Sequence, residues 1–370
     1  MSEYQYYEWL AVDRPLTEEE VEEVNGLSSH MDVVTATQAV VTYSWGDFKH
    51  DPRKVLLKYF DAMLYVANWG SRQLSFRFPA SVIDEEAIWA YCIQDRISLA
   101  QTGKFQVLEI DLSEEEGGDW VESEGVLSRL APLREQIIQG DYRVLYLAWL
   151  KAKMMNERDG VEDESEPTVP AGLRKLTAGL KAFMTFFEID PHLVKAAAES
   201  SDALEPASDQ ALASALAGLP RQECDAFLLR VLQNEPRIDQ ALRKRLIELA
   251  GLEKPAASRQ SRSPSALSEA AKRYEQEEQR REQAEAERKR IQELEELAKR
   301  EETTWPWVER LIEQKQAKPY DEAVALLVKL RDLAVYRNRL PEFQTRFTAL
   351  VNRYTSRPSL MERLHRAGLR

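Results

Sequence analysis

Covalent and metal cross-links have little to work with in this chain. Its 370 residues include 2 cysteines and 4 histidines, which rules out a disulfide framework. Cys92 and Cys224 are far apart, as are His30, His50, His192 and His365. A structural zinc site needs four ligands converging on one ion, so we expect no metal. The catalytic signatures are missing too: no G-x-x-x-x-G-K-S/T cradle, no G-x-G-x-x-G helix opening, no H-E-x-x-H pair and no G-x-S-x-G elbow. We expect no cofactor and no enzyme activity. No apolar run reaches the roughly 18 residues of a spanning helix, and the polar opening lacks a signal-peptide core. These absences predict a cytoplasmic protein with reduced thiols and no membrane association. Positive charge is also in deficit, 50 Lys plus Arg against 63 Asp plus Glu for a net of −13. A surface of that sign does not coat nucleic acid.

What is present is a globular composition, 44% hydrophobic and 31% charged, with length for two or three folded units at about 100–200 residues each. Charge is unevenly placed. Residues 253–370 carry 25 basic and 20 acidic side chains, leaving residues 1–252 at net −18. The two ends are electrostatic opposites and can attract each other in a salt-sensitive way.

The opening segment alternates, with Tyr4, Tyr6, Leu10 and Val12 on one face of a strand and Gln5, Tyr7, Trp9 and Ala11 on the other. Thr17 and Glu20 have capping-box spacing, and Leu16 and Val21 that of a hydrophobic staple, so a helix is predicted to about Leu27. Val33 to Tyr43 reads as a bent strand or hairpin. Asp51 and Pro52 open a further helix, whose Val55, Leu56, Tyr59, Phe60, Met63, Leu64 and Ala67 keep helical spacing up to Gly70. Leu74, Phe76 and Phe78 alternate in a strand, and Ile97–Ala100 with Lys104–Ile110 form a hairpin. This order predicts an α+β fold, a ferredoxin-like split βαβ sheet with helices on one face.

From residue 123 onward the period is helical, with a broad stripe of Leu173, Leu176, Leu180, Phe183, Met184 and Phe187 and shorter helices carrying Leu212, Phe227, Leu228, Val231 and Leu242. Residues 253–266, rich in serine and proline, read as a flexible linker. Residues 267–302 read as a long charged helix of roughly 54 Å, in which Glu277 with Arg281, Glu285 with Lys289, Glu295 with Lys299 and Glu296 with Arg300 face each other. Its heptad positions hold too few apolar residues for a strong coiled coil. The expected domains are therefore 1–122 (α+β), 123–252 (helical), 253–266 (linker), 267–302 (charged helix) and 303–370, a mainly α-helical C-terminal unit. In the last, Pro306 is expected at a helix start and Asp321 at a cap.

Two acidic runs read as solvated loops. Glu114, Glu115, Glu116, Asp119, Glu122 and Glu124 lack calcium-loop spacing, and Asp159, Glu162, Asp163, Glu164 and Glu166 precede two prolines. Of the 32 aromatic residues, 15 fall within residues 1–91, more than one core needs. Tyr7, Trp9, Trp45 and Phe48 are therefore candidate partner-binding anchors. Arg339, Arg346 and Arg353 recur every seven residues, with Arg357 following, a candidate basic surface for nucleic acid or an acidic protein. A loop-assembled catalytic site would draw on Asp47, His50 and Asp61.

The run Tyr4-Gln5-Tyr6-Tyr7-Glu8, the segment Asp13-Arg14-Pro15-Leu16-Thr17, the loop Trp45-Gly46-Asp47-Phe48 and the stretch from Asp61 to Gly70 resemble a group of uncharacterised bacterial hypothetical proteins, and the likeness extends into the C-terminal helices. That resemblance implies a bacterial, cytoplasmic protein and transfers no catalytic residue. The expected function is a multidomain adaptor or regulator with a protein partner. Nucleic-acid association through the arginines and an enzyme with a loop-built site are the alternatives.

Overall fold

Strand β1 (Gln5–Leu10) is apolar or aromatic on both faces, so both need cover, and the structure supplies a separate layer of helices for each. It is a computed structural model that describes residues 4–80, 82–114, 123–158, 166–203, 209–233, 238–250 and 261–369. The acidic residues 115, 116, 119 and 122, the acidic residues 159 and 162–164, and residues 253–260 of the expected linker lie outside the described residues. After β1 come α1 (Glu18–Asn25), β2 (Met31–Val34), β3 (Gln38–Tyr43), α2 (Pro52–Tyr59), β4 (Ala62–Ala67), β5 (Arg72–Pro79), α3 (Glu85–Trp89), β6 (Ile97–Thr102) and β7 (Phe105–Asp111). They build one seven-stranded antiparallel sheet in the order β2-β3-β1-β4-β5-β7-β6.

On one face Tyr7, Trp9, Val41 and Met63 meet Val24 of α1 and Val55, Leu56 and Tyr59 of α2. On the other, Tyr6, Leu64, Phe76, Leu108 and Ile110 meet the helices that follow: α4 (Val126–Leu130), α5 (Pro132–Ile138), α6 (Arg143–Arg158), α7 (Ala178–Phe186) and α8 (Pro191–Ala198). The boundary expected at 122/123 therefore separates segments that share one core. Helices α9 (Asp209–Gly218), α10 (Arg221–Leu232) and α11 (Ile238–Leu249) follow.

Local signals place several of these elements. Thr17 accepts from Glu20 N–H while Glu20 accepts from Thr17 N–H, the reciprocal cap its spacing predicts. Arg14 also binds Glu20 and holds its carboxyl down to about 2. The helix expected through Ala67 instead stops at Tyr59. Phe60 is extended, and Asp61, 1% exposed, immediately precedes strand β4. Its carboxylate accepts from the N–H groups of Val12 and Asp13 (2.7 and 2.9 Å) and from Arg77 (2.7 Å). These long-range bonds override the helical period, and β4 then sends Leu64 and Val66 to one core and Met63 to the other. Arg134, also 1% exposed, extends the network by clasping Asp13 at both oxygens and donating to the Arg77 carbonyl.

Helix α12 runs from Pro264 to Lys299. Its start belongs to the first core, since Leu267 and Ala271 are buried there. Just ahead of it, Arg262 pairs with Glu166 (2.7 Å) and donates to the carbonyls of Ala196 and Ala197. Glu166 in turn accepts from the buried Tyr146 hydroxyl. The last residues of the expected linker are thus anchored, because serine and proline there cap a helix: Ser263 accepts from Ala266 N–H, and Pro264 takes the first helical position. Between Glu275 and Glu293 the helix is exposed or half-exposed. Glu285–Lys289 pairs as expected, whereas Arg281 turns to Glu278.

The chain divides into two compact units, 1–275 and 276–370, the division falling within α12. In the second unit, Leu294 and Leu297 pack with α13 (Glu301–Glu313), α14 (Ala317–Tyr336), α15 (Leu340–Arg353) and α16 (Pro358–Arg366). Two expectations fail here. Pro306 lies inside α13 rather than at its start, since Thr303 and Thr304 already return their hydroxyls to the Arg300 carbonyl. Asp321 lies inside α14 and pairs with Arg363 (2.6 Å) instead of capping.

Removing the Asp61 carboxylate would leave the largely buried Arg77 guanidinium without its partner and take the acceptor from the N–H groups of Val12 and Asp13. Asp61→Ala is therefore expected to lose about 3–5 kcal/mol in urea denaturation. A loss below about 1 kcal/mol would show that the network does not anchor β4.

Candidate functional site

The tryptophan loop is held from below by β1. Gln5 donates to the Gly46 carbonyl (3.0 Å) and to Asp47 (2.8 Å), while Tyr7 donates its hydroxyl to Gln5 (2.8 Å). Gly46 takes a left-handed φ of 79° at the loop's tip. Phe48 folds inward to within 5.6 Å of the Tyr7 ring and 5.5 Å of the Trp9 ring, and the Trp9 indole donates to the Pro52 carbonyl. Trp9 is 1% exposed, and Tyr7 and Phe48 are buried with it, whereas Trp45 is 69% exposed. Three of the four expected partner anchors are core residues. The surplus rings belong to a second core, under α1 and α2, that a one-core count does not anticipate.

Asp47 and His50 do not meet Asp61. Asp47 lies beside Gln5 and Asp61 beside Leu10, at opposite ends of β1, roughly 17 Å apart at about 3.4 Å per residue. His50 packs on Phe48, and Asp61 is committed to Arg77. Cys92 is half-buried, and burial pushes its thiol up. Among the described residues, no three His, Cys, Asp or Glu side chains form a metal-ligand group.

The arginine stripe is answered by glutamates. Arg339 pairs with Glu301 (2.8 Å), Arg346 with Glu302 (3.2 Å) and Arg353 with Glu309 (2.9 Å), while Arg357 donates to the Ile312 carbonyl. Both sets of numbers rise together, so α13 and α15 run side by side in the same direction. Arg346 also lies over the Trp305 ring. The expected basic surface is a rung-by-rung match between two helices, and Arg346 holds the Glu302 carboxyl below its ordinary value.

Glu8 is a fully buried carboxyl that nothing in the sequence pattern marks. It accepts from Tyr6 (3.0 Å) and Gln38 (2.8 Å). Burial raises its pKa above the ordinary 4.5, and the hydrogen bonds from Gln38, Tyr6 and the Leu127 backbone oppose that rise.

Three surface features remain. Helix α10 has no buried residue, and Leu228, Leu229, Val231 and Leu232 are each more than half exposed, Leu232 at 78%. Leu228 and Val231, whose spacing predicts a short helix of a small bundle, are thus on its surface, and Cys224 on the same helix is half-exposed. A groove of about 960 Å³ in the second unit has an apolar floor at Leu294, Leu297 and Val324. On its rim Arg363 pairs with Asp321 and Arg366 with Glu362. A groove of about 660 Å³ in the first unit lies among α7, α8 and Tyr274. Arg174, Lys175, Lys181 and Lys195 rim it, all exposed. In the sequence this stretch stands out only as an apolar stripe. Its signal was a local excess of cations within an otherwise acidic half.

Replacing Trp9 by Ala should cost about 3–5 kcal/mol, and replacing Trp45 less than about 0.5 kcal/mol. Thermal denaturation of the two variants checks the assignment, and equal losses would contradict it. For Glu8, folding favours the neutral acid, so its contribution is complete below pH 4.5 and lost as pH rises through the folded value. Glu8→Gln should therefore raise the urea midpoint above wild type at pH 7, with the gain vanishing below pH 4.5. A gain that is the same at both pH values would refute this account. No family model, curated protein or solved structure matches this chain.

Proposed function

We propose that this protein is a cytoplasmic adaptor or regulator that acts by binding another protein. The observation that carries the reading is the face of α10, where four large aliphatic side chains face solvent on a helix that contributes nothing to the core. Contiguous apolar surface of this kind is costly to leave in water, and its usual use is association. Leu216 of α9 and Leu249 of α11 are also exposed. Trp45, projecting from a loop that Gln5 holds in place, is a second anchor of the type interfaces favour. The order β2-β3-β1-β4, with α1 and α2 as crossovers on one face, supports reading the N-terminal part as a ferredoxin-like split βαβ module. The pairing of Arg339, Arg346 and Arg353 with glutamates removes the motive for a nucleic-acid reading.

A photo-crosslinking amino acid at Leu229 or Leu232 of the full-length protein, in its native cells, tests the proposal. The expected result is a discrete protein adduct that Leu228→Asp abolishes and that does not form from Arg280, an exposed position on α12. Adducts no different from those at Arg280 would refute the α10 assignment.

A further inference from the structure

The groove among α7, α8 and Tyr274 combines two properties that a solvated surface does not need together. Its floor is apolar, formed by Leu173, Leu176, Met184 and Val194. Its rim carries four cations: Arg174 and Lys175 on the segment before α7, Lys181 on α7 and Lys195 on α8. Arg174 is braced by the Ala198 and Glu199 carbonyls (3.2 and 3.4 Å). Lys195 lies 4.3 Å from the Tyr274 ring centroid. Among the described residues, no carboxylate forms an ion pair with Lys175, Lys181 or Lys195. The one acidic group in the lining, Glu199, already accepts from the Tyr274 hydroxyl. The lining thus carries four cations and one carboxylate around an apolar strip whose Leu176 and Met184 are half-buried.

We propose that this groove binds an acidic peptide segment of a partner protein, placing aliphatic side chains on the floor and carboxylates along the rim. The spread of the cations favours a peptide. They come from three separate elements and border the groove instead of converging on one point, so they suit several carboxylates spaced along a chain better than a single phosphate or fatty-acid head. An apolar floor of this volume suits a helix-in-groove mode, in which two or three aliphatic anchors are buried and charges fix orientation. Met184 supplies an adaptable contact, and the lysine stems extend the apolar surface up to the rim. The inference rests on the protein-binding reading above but not on the α10 face.

A short fluorescein-labelled peptide with leucines at helical spacing and glutamates between them is the probe, titrated against full-length protein by fluorescence anisotropy. The expected result is saturable binding that weakens as salt rises. It should weaken at least about tenfold in Lys181→Glu/Lys195→Glu, whose substitutions are exposed and should leave the circular dichroism spectrum unchanged, and similarly when the leucines become serine. No saturation by about 1 mM, equal binding by the double variant, or equal binding by the serine peptide each overturns the proposal. So does dodecanoate binding in place of the peptide, which assigns the groove to a small amphiphile, or loss of wild-type self-association in the double variant, which assigns it to a second copy. Absent α10 adducts with an intact groove would refute only the α10 assignment, and intact adducts with no peptide binding would refute only the groove.

Discussion

Burial of β1 on both faces is the constraint on which the rest of the N-terminal unit depends. A strand with one solvated face tolerates some sliding, because only half of its side chains are committed. β1 has no such face. Tyr6 and Glu8 lie in one interior and Tyr7 and Trp9 in the other, so a one-residue slip would drive the carboxyl of Glu8 among the rings and the indole of Trp9 under α4. The register is further pinned at both ends. Gln5 grips the loop after β3, and the Leu10 carbonyl receives the N–H of Asp61. The Asp61–Arg77–Arg134–Asp13 network then ties β4, β5, α5 and the segment after β1 to one another.

The polar interactions of the molecule fall into two kinds that differ in what they accomplish. Those around Asp61 and Glu166 are buried or nearly so, and they specify where the chain must turn or start a helix. Those between α13 and α15 are at the surface, where each is worth little by itself. Their value lies in alignment: repeated pairs fix the sliding position of two parallel helices already held by Trp305, Phe343 and Phe347.

Features set by neighbours in the chain were legible from the residues alone. The Thr17–Glu20 cap needs only four consecutive positions, and the β6–β7 hairpin needs only alternation on either side of a tight turn. Features decided at a distance were not. Phe60 to Ala67 fits a helical period as well as it fits a doubly buried strand, and only the bonds of Asp61 to remote groups choose between them. Tyr7, Trp9 and Phe48 looked available because nothing in their spacing reveals that α1 and α2 fold over them. The arginine stripe looked unpaired because its glutamates sit on a helix 38 to 44 positions away. The groove of the first unit has the same origin: its rim is assembled from three elements, and each lysine alone resembles any surface lysine.

The clasp at the start of α12 has a mechanical consequence. Arg262 and Glu166 hold each other through side chains, Ser261 donates to the Glu166 carbonyl, and Leu267 is sunk in the core. None of these attachments passes along the backbone through residues 251–260. A protease that severed the chain in that interval would therefore leave the two fragments joined: a denaturing gel would resolve two pieces where a sizing column still registered one particle, and fragments made separately would be able to reassemble.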